Sequence, residues 1–341
     1  SKFDQGKEQF LHYKADPRNP NSLSHNVIWS LFEDQHQILW IGTDNGLNRL
    51  DREKKEFTCY KDEPGNPNSL SHNEVWSVYE DQNGTLWVGT FCGLNRLDDR
   101  FDKGNKKFTR YLISHDNPQT NKIRAIYEDQ TGLFWIGTGD GLYQFDRENE
   151  TFLRYQHQPD KPNSLSHNSI WAIYEDSAQR LWIGTEDGLN RFDPKKNQFI
   201  RYKNISDNPM SLSNNWILSV CEDRKKRLWI GTVSGLNQFD PQKETFIRYR
   251  EKEGLPNEVI YGILEDNQGR LWLSTNKGLS RFTPHTKIFK NYDARDGLQG
   301  NEFNVGAYHK NKNGELFFGG LNGFNLFYPS QKDNPFPPSV V

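Results

Sequence analysis

The segment Leu39-Trp40-Ile41-Gly42-Thr43-Asp44-Asn45-Gly46-Leu47-Asn48-Arg49 returns almost unchanged along the chain. Its apolar-Trp-apolar core recurs at Trp87, Trp135, Trp182, Trp229 and Trp272, and a degraded seventh copy is Leu316-Phe317-Phe318-Gly319-Gly320. The steps between these aromatics are 47, 48, 47, 47, 43 and 45 residues. A fixed period in this range marks a propeller or a solenoid. It also overrides length: 341 residues would ordinarily suggest more than one domain, but a propeller is a single ring.

One period can be read on residues 168–202. Ser169-Ile170-Trp171-Ala172-Ile173-Tyr174 forms strand A, ended by Glu175-Asp176 and a polar turn. Leu181-Trp182-Ile183-Gly184-Thr185 forms strand B, and Glu186-Asp187-Gly188 carries the Asp-Gly signature of a tight hairpin. Leu189-Asn190-Arg191-Phe192-Asp193 and Phe199-Ile200-Arg201-Tyr202 give strands C and D. Such a meander is a propeller blade. A-B-C sets begin near Asn26, Asn73, Asn121, Asn168, Asn215, Glu258 and Asn304. D segments fall at 10–13, 57–60, 108–111, 152–155, 199–202, 246–249 and 288–292, so the first precedes any A and the last C, at 324–328, has no D after it. Pairing these two leaves no blade with an open edge. The expectation is all-β: a seven-bladed β-propeller of four-stranded antiparallel blades over residues 1–329, closed by the N-terminal strand on the C-terminal blade. Residues 330–341 read as a proline-rich linker toward a further domain.

Aromatics are abundant (22 Phe, 14 Tyr, 10 Trp), which suits sheets whose gaps are filled by rings. The strand-B Trp is expected in the wedge between blades, and the following Gly beside a neighbouring backbone. One strand-A position stays small (Ser30, Ser77, Ala125, Ala172, Ser219, Gly262, Ala307), attributed to crowding at the axis. A net charge of -2 with interspersed signs offers no field for a nucleic-acid backbone. No apolar run approaches the roughly 18 residues of a membrane helix, so no membrane contact by this fragment is expected. Ser1-Lys2-Phe3-Asp4 already reads as repeat, as in a mature or trimmed fragment. Cys59, Cys92 and Cys221 occupy different repeat positions and are expected as free thiols.

The pattern Asn-x-Ile-Trp-x-Ile-x-Glu-Asp, followed by Leu-Trp-Ile-Gly-Thr-x-x-Gly-Leu-Asn-Arg-Phe-Asp, resembles the two-component regulator propeller repeat. Such repeats form periplasmic sensors of hybrid histidine kinases and of membrane-bound diguanylate cyclases. The resemblance covers about residues 2–329. It implies an extracytoplasmic, non-catalytic module that binds carbohydrate, without cofactors. It further implies a downstream β-sandwich and a membrane-anchored output domain.

Four D-to-A links are variants of Asn-Pro-x-Ser-Leu-Ser-x-Asn, and with the B-C hairpins they are expected to frame one mouth of the axis. A site must be asymmetric, so departures from the repeat are informative there. At the strand-A aromatic position the copies read Trp29, Trp76, Arg124, Trp171, Leu218, Tyr261 and Gly306. Aromatics suit stacking on sugar faces, Asn can satisfy hydroxyls, and Arg124 can pair with an anionic group. The candidate ligand-binding set is Asn26, Trp29, Asn73, Trp76, Arg124, Asn168, Trp171, Tyr261 and Asn304, for an oligosaccharide or other small polar ligand. A metal at His25, His72 and His167 is disfavoured by their wide separation around the mouth. Two other readings stay open. One is a protein-interaction scaffold or homodimer module. The other is a polysaccharide lyase drawing on Glu258, Glu302 or His309 with Arg124.

Overall fold

A computed structural model describes residues 10–98 and 107–329; the linker expected at 330–341 lies outside the described residues. It contains seven four-stranded antiparallel sheets. Blade four comprises Ile170–Glu175, Leu181–Thr185, Gly188–Asp193 and Gln198–Tyr202, in meander order. The seventh sheet joins the two ends of the chain. Leu11–Tyr13 pairs antiparallel with Gly323–Phe327, in the register Leu11↔Leu326, His12↔Asn325 and Tyr13↔Phe324. Tyr13 stacks on Phe324 with ring centroids 4.9 Å apart, and Phe10 meets Phe327 edge-on at 4.7 Å. The ring is therefore closed as its strand count requires.

Strand B is buried along its whole length in every blade, because it lies between strands A and C and under the neighbouring sheet. Trp40 packs with Val75, Val78 and Leu86 of the next blade, and so fills the wedge as expected. A Cβ on Gly42 would lie 2.5 Å from the Val75 carbonyl oxygen, so the glycine admits the neighbour's backbone.

The small strand-A residue has a different cause from the one expected. It pairs across the ladder with that same glycine: Ser30↔Gly42, Ser77↔Gly89, Ala125↔Gly137, Ala172↔Gly184 and Ser219↔Gly231. Blade six inverts the pair, Gly262↔Ser274, and a Cβ on Gly262 would come within 2.3 Å of the Tyr308 ring. Crowding by the next blade, rather than by the axis, keeps the position small.

The Glu-Asp pair ending strand A is more than a turn. In blades one to six the aspartate accepts the indole N–H of its own strand-B Trp, at 2.9, 2.8, 2.7, 2.8, 2.8 and 2.9 Å. Its second oxygen accepts backbone N–H groups of the A-B turn, as Asp129 does from Thr131 and Leu133. Blade seven changes both partners together, to Asn311 and Phe317; Asn311 keeps the turn bonds, and there is no indole to satisfy. The glutamate reaches the preceding blade. Glu80, Glu128 and Glu175 accept the backbone N–H of Gln35, Gln82 and Gln130.

Candidate functional site

The mouth of the axis is built by the D-to-A links and B-C hairpins, which are bonded to one another. The carbonyl oxygens of Asn73 and Asn168 accept from the hairpin glycines Gly46 and Gly141 of the preceding blades, both at 2.7 Å, and Asn26 does the same for Gly323 across the ring closure. The amide oxygens of Asn26, Asn73 and Asn168 accept the backbone N–H of Ala15, Asp62 and His157 at 2.8, 2.8 and 2.6 Å. These three candidates brace the loops.

Asn304 is almost fully buried and donates to the Ile28 carbonyl of blade one at 2.9 Å. Blade seven's counterpart of the bracing asparagines is Asn301, whose carbonyl accepts from Gly278 and whose side chain accepts from Ala294. Tyr261 is half-buried, its hydroxyl 2.8 Å from Asn276 Oδ1, and it does not line the axial cavity.

The structure brings together Trp29, Trp76, Arg124 and Trp171, with Val305 and Gly306, around a cavity of about 80 Å³ at the axis. Local backbone explains why these side chains point there. The strand A-to-B ladder skips a residue between Ile28 and Ser30, between Val75 and Ser77, and between Ile170 and Ala172. Each Trp is the extra residue of such a bulge, and a bulge re-aims a side chain.

Trp29 and Trp76 lie 5.8 Å apart at 37°. The Arg124 guanidinium carbon is 4.1 Å from the Trp171 ring centroid and 5.6 Å from that of Trp76, so the cation lies between two π faces. Its Nη1 donates to Ser169 Oγ and lies 3.9 Å from Glu186 Oε1. Burial lowers the Arg124 pKa, with Glu186 opposing the shift; a guanidinium stays charged in such surroundings.

Several residues at this mouth were not anticipated. Asp44 and Glu186 accept the indole N–H of Trp29 and Trp171. Phe91 lies 5.6 Å from Trp76 and 5.5 Å from His72, and Lys122 Nζ sits 4.3 Å over its ring. Trp216 lies 6.0 Å from Trp171 and is 39% exposed. Asp44, Phe91 and Glu186 share one hairpin position, directly after the strand-B threonine, and aligning that position across blades would have exposed it.

The other sequence candidates have local roles. His25, His72 and His167 each accept, through Nδ1, the backbone N–H two residues on. Among the described residues no group of His, Cys, Asp or Glu could hold a metal ion. His309 lies between Phe32 and Phe317, opposite Phe317 in the ladder and away from the hairpins, and burial pushes its pKa down to about 4. Cys59, Cys92 and Cys221 are free. Among the described residues no helix is long and apolar enough to cross a membrane.

The two-component regulator propeller pattern matches residues 22–45, 69–91, 117–140, 164–187, 211–234 and 254–277. Each match runs from a D-to-A link to a B-C hairpin, so it covers the parts that build the mouth. No curated protein sequence is significantly similar to the chain. Among solved structures, the chain is similar to the extracellular domain of BT3049 from B. thetaiotaomicron, described as a hybrid two-component system. The identity is 29% with a TM-score of 0.80, over 94% of this chain and 41% of that one. It is also similar to the extracellular domain of BT4673 from B. thetaiotaomicron, described likewise, at 26% identity and a TM-score of 0.53, over 96% of this chain and 46% of that one. The chain thus spans less than half the length of these two structures. A catalytically inactive virginiamycin B lyase from Staphylococcus aureus, with quinupristin, shares the fold at 13% identity and a TM-score of 0.67, over 94% and 99%. Six matched repeats within a closed ring of seven blades make this chain a member of the two-component regulator propeller family.

Proposed function

We propose that the chain is the extracytoplasmic, ligand-binding propeller of a transmembrane signalling protein, and that a small polar ligand, an oligosaccharide, binds at the axial mouth. The observation that carries this reading is the cluster of Trp29, Trp76, Arg124 and Trp171, where three aromatics of the repeat and the one cation that interrupts them converge on one cavity. Flat aromatic faces with a few fixed donors suit sugar rings, which have apolar faces and polar edges. The likeness to extracellular domains of two-component systems supports the location and the signalling role. The carboxylates beside the cluster, Asp44 and Glu186, are engaged by the Trp29 and Trp171 indoles, which favours a module that acts by binding. Occupancy would alter how the last blade meets the following segment, or how two copies pack, and so reach a membrane-anchored output domain.

A thermal-shift screen of the chain against an oligosaccharide library tests this. A raised melting temperature with the saccharide recovered intact is expected. Release of an unsaturated product absorbing in the ultraviolet would overturn the non-catalytic reading. A concentration-dependent dimer in light scattering, with no saccharide raising the melting temperature, would favour a scaffold instead.

A further inference from the structure

Among the blades whose strand-A residue at the mouth carries a side-chain donor, one hydrogen bond repeats and is missing in one sector. The strand-A residue donates to its own hairpin: Trp29 to Asp44, Trp171 to Glu186, and the Tyr261 hydroxyl to Asn276. In blade two that acceptor position is Phe91, and the Trp76 indole N–H is buried without a partner among the described residues. In blade three the position is Gly139 and the strand-A residue is Arg124, whose Nε–H is likewise buried and unpartnered. Blades five and seven also lack a hairpin acceptor, at Val233 and Leu321, but their strand-A residues are Leu218 and Gly306, which have no side-chain donor. The two orphaned donors thus fall in blades two and three, together with the cations of Arg124 and Lys122.

We infer that this sector receives a carboxylate of the ligand, so that the mouth selects acidic saccharides over their neutral counterparts. The inference rests on the axial-mouth reading above. A buried donor without a partner is stabilised by any acceptor that reaches it, and most by a charged one. The Arg124 guanidinium carbon is 5.6 Å from the Trp76 ring centroid, so the two unpartnered donors belong to adjacent side chains, and the two oxygens of one carboxylate would accept from both. The cavity of about 80 Å³ is several times the roughly 10–15 Å³ that one water needs, so it admits a carboxylate. The sugar ring that bears it lies against the aromatic side chains of the mouth. Three of the acids nearby are engaged, while Glu74 lies two residues before Trp76 with its backbone carbonyl accepting the Phe91 N–H. Asp44 holds Trp29 and lies 3.7 Å from His25 Nδ1, and Glu186 holds Trp171 and Ser169. Asp140 is paired with Arg154.

Isothermal titration of the chain with uronic-acid oligosaccharides, neutral oligosaccharides of equal length, and sulfated forms of the neutral ones tests the inference. The uronates should bind about tenfold or more tighter than the neutral set. Arg124→Gln should bring that ratio toward one. Phe91→Asp, which keeps Arg124 but restores the hairpin acid and gives Trp76 an internal acceptor, should lower it as well. Neutral sugars that bind as tightly as uronates would leave the axial-mouth reading standing and overturn the carboxylate. Sulfated forms that outbind uronates would also overturn it, and binding by no saccharide of any class would remove both readings.

Discussion

The aspartate–indole bond can be dissected with a pair that the chain itself supplies. In blade three, Asp129 Oδ2 accepts the Trp135 indole N–H at 2.7 Å, while Oδ1 accepts from Thr131 N, Thr131 Oγ and Leu133 N at 3.0, 2.6 and 3.0 Å. Asp129→Asn keeps an oxygen for the turn but turns an amide N–H toward the indole N–H. A charge-assisted bond is lost and a buried donor is orphaned, at a cost of about 2–3 kcal/mol. Trp135→Phe removes the donor and leaves a buried carboxylate oxygen unsatisfied, besides lost ring volume against Tyr155 and Phe192, so about 2–4 kcal/mol. Although blade three has Leu133 where Glu315 accepts from the Asn311 amide, the double variant places Asn beside Phe as in blade seven's Asn311 and Phe317, so no indole is left unpaired. Its cost should fall below the sum of the single costs by about 1.5–2 kcal/mol. Urea unfolding followed by tryptophan fluorescence, with common slopes, measures the cycle. Single costs that simply add would show that the bond carries no coupling, and the reasoning behind six of the seven blades would fail.

Three further outcomes follow from the same structure. Tyr13→Ala removes the ring stacked on Phe324 and should cost about 2–3 kcal/mol in urea unfolding, since Tyr13 is partly buried; a neutral change would mean that the closing strand adds little. His309 has its pKa depressed from 6.5 to about 4, so the unfolded chain binds the extra proton. Its contribution is full above the unfolded value and is lost as pH falls from about 6.5 to 4. His309→Phe, which copies Phe32 of blade one, should therefore make stability at pH 4.5 relative to pH 7 better by about 2 kcal/mol than in the parent. Burial pushes the Cys221 thiol up to about 12, whereas Cys92 is exposed; maleimide at neutral pH should label Cys92 first and Cys221 only after unfolding, by peptide mass mapping.

The blades, their order and the closure were legible because a period of seven copies fixes which segments are strands, and an unmatched D before an unmatched C leaves one way to complete the ring. Arg124 was legible for the same reason, as a break in an aromatic series. The asparagines were not. An amide that caps a loop and an amide that meets a sugar hydroxyl look alike in sequence, and only the bonds to Ala15, Asp62 and His157 tell them apart. Asn304 was misread because the irregular link before it displaces the bracing asparagine to Asn301. Phe91, Lys122 and Trp216 escaped notice because their significance depends on which hairpin faces which strand across the axis. That is set by blade-to-blade packing and not by local pattern. The Glu-Asp latch was hidden likewise: each residue suits a turn, and their partners lie on another strand or another blade.

The claim on which the account rests is that the ligand lies at the axial mouth. A crystal structure of the chain soaked with a saccharide that raises its melting temperature tests this most directly. The account predicts sugar density in contact with Trp76, Arg124 and Trp171. Density on the outer rim of the blades, with the axial cavity unchanged, would contradict it.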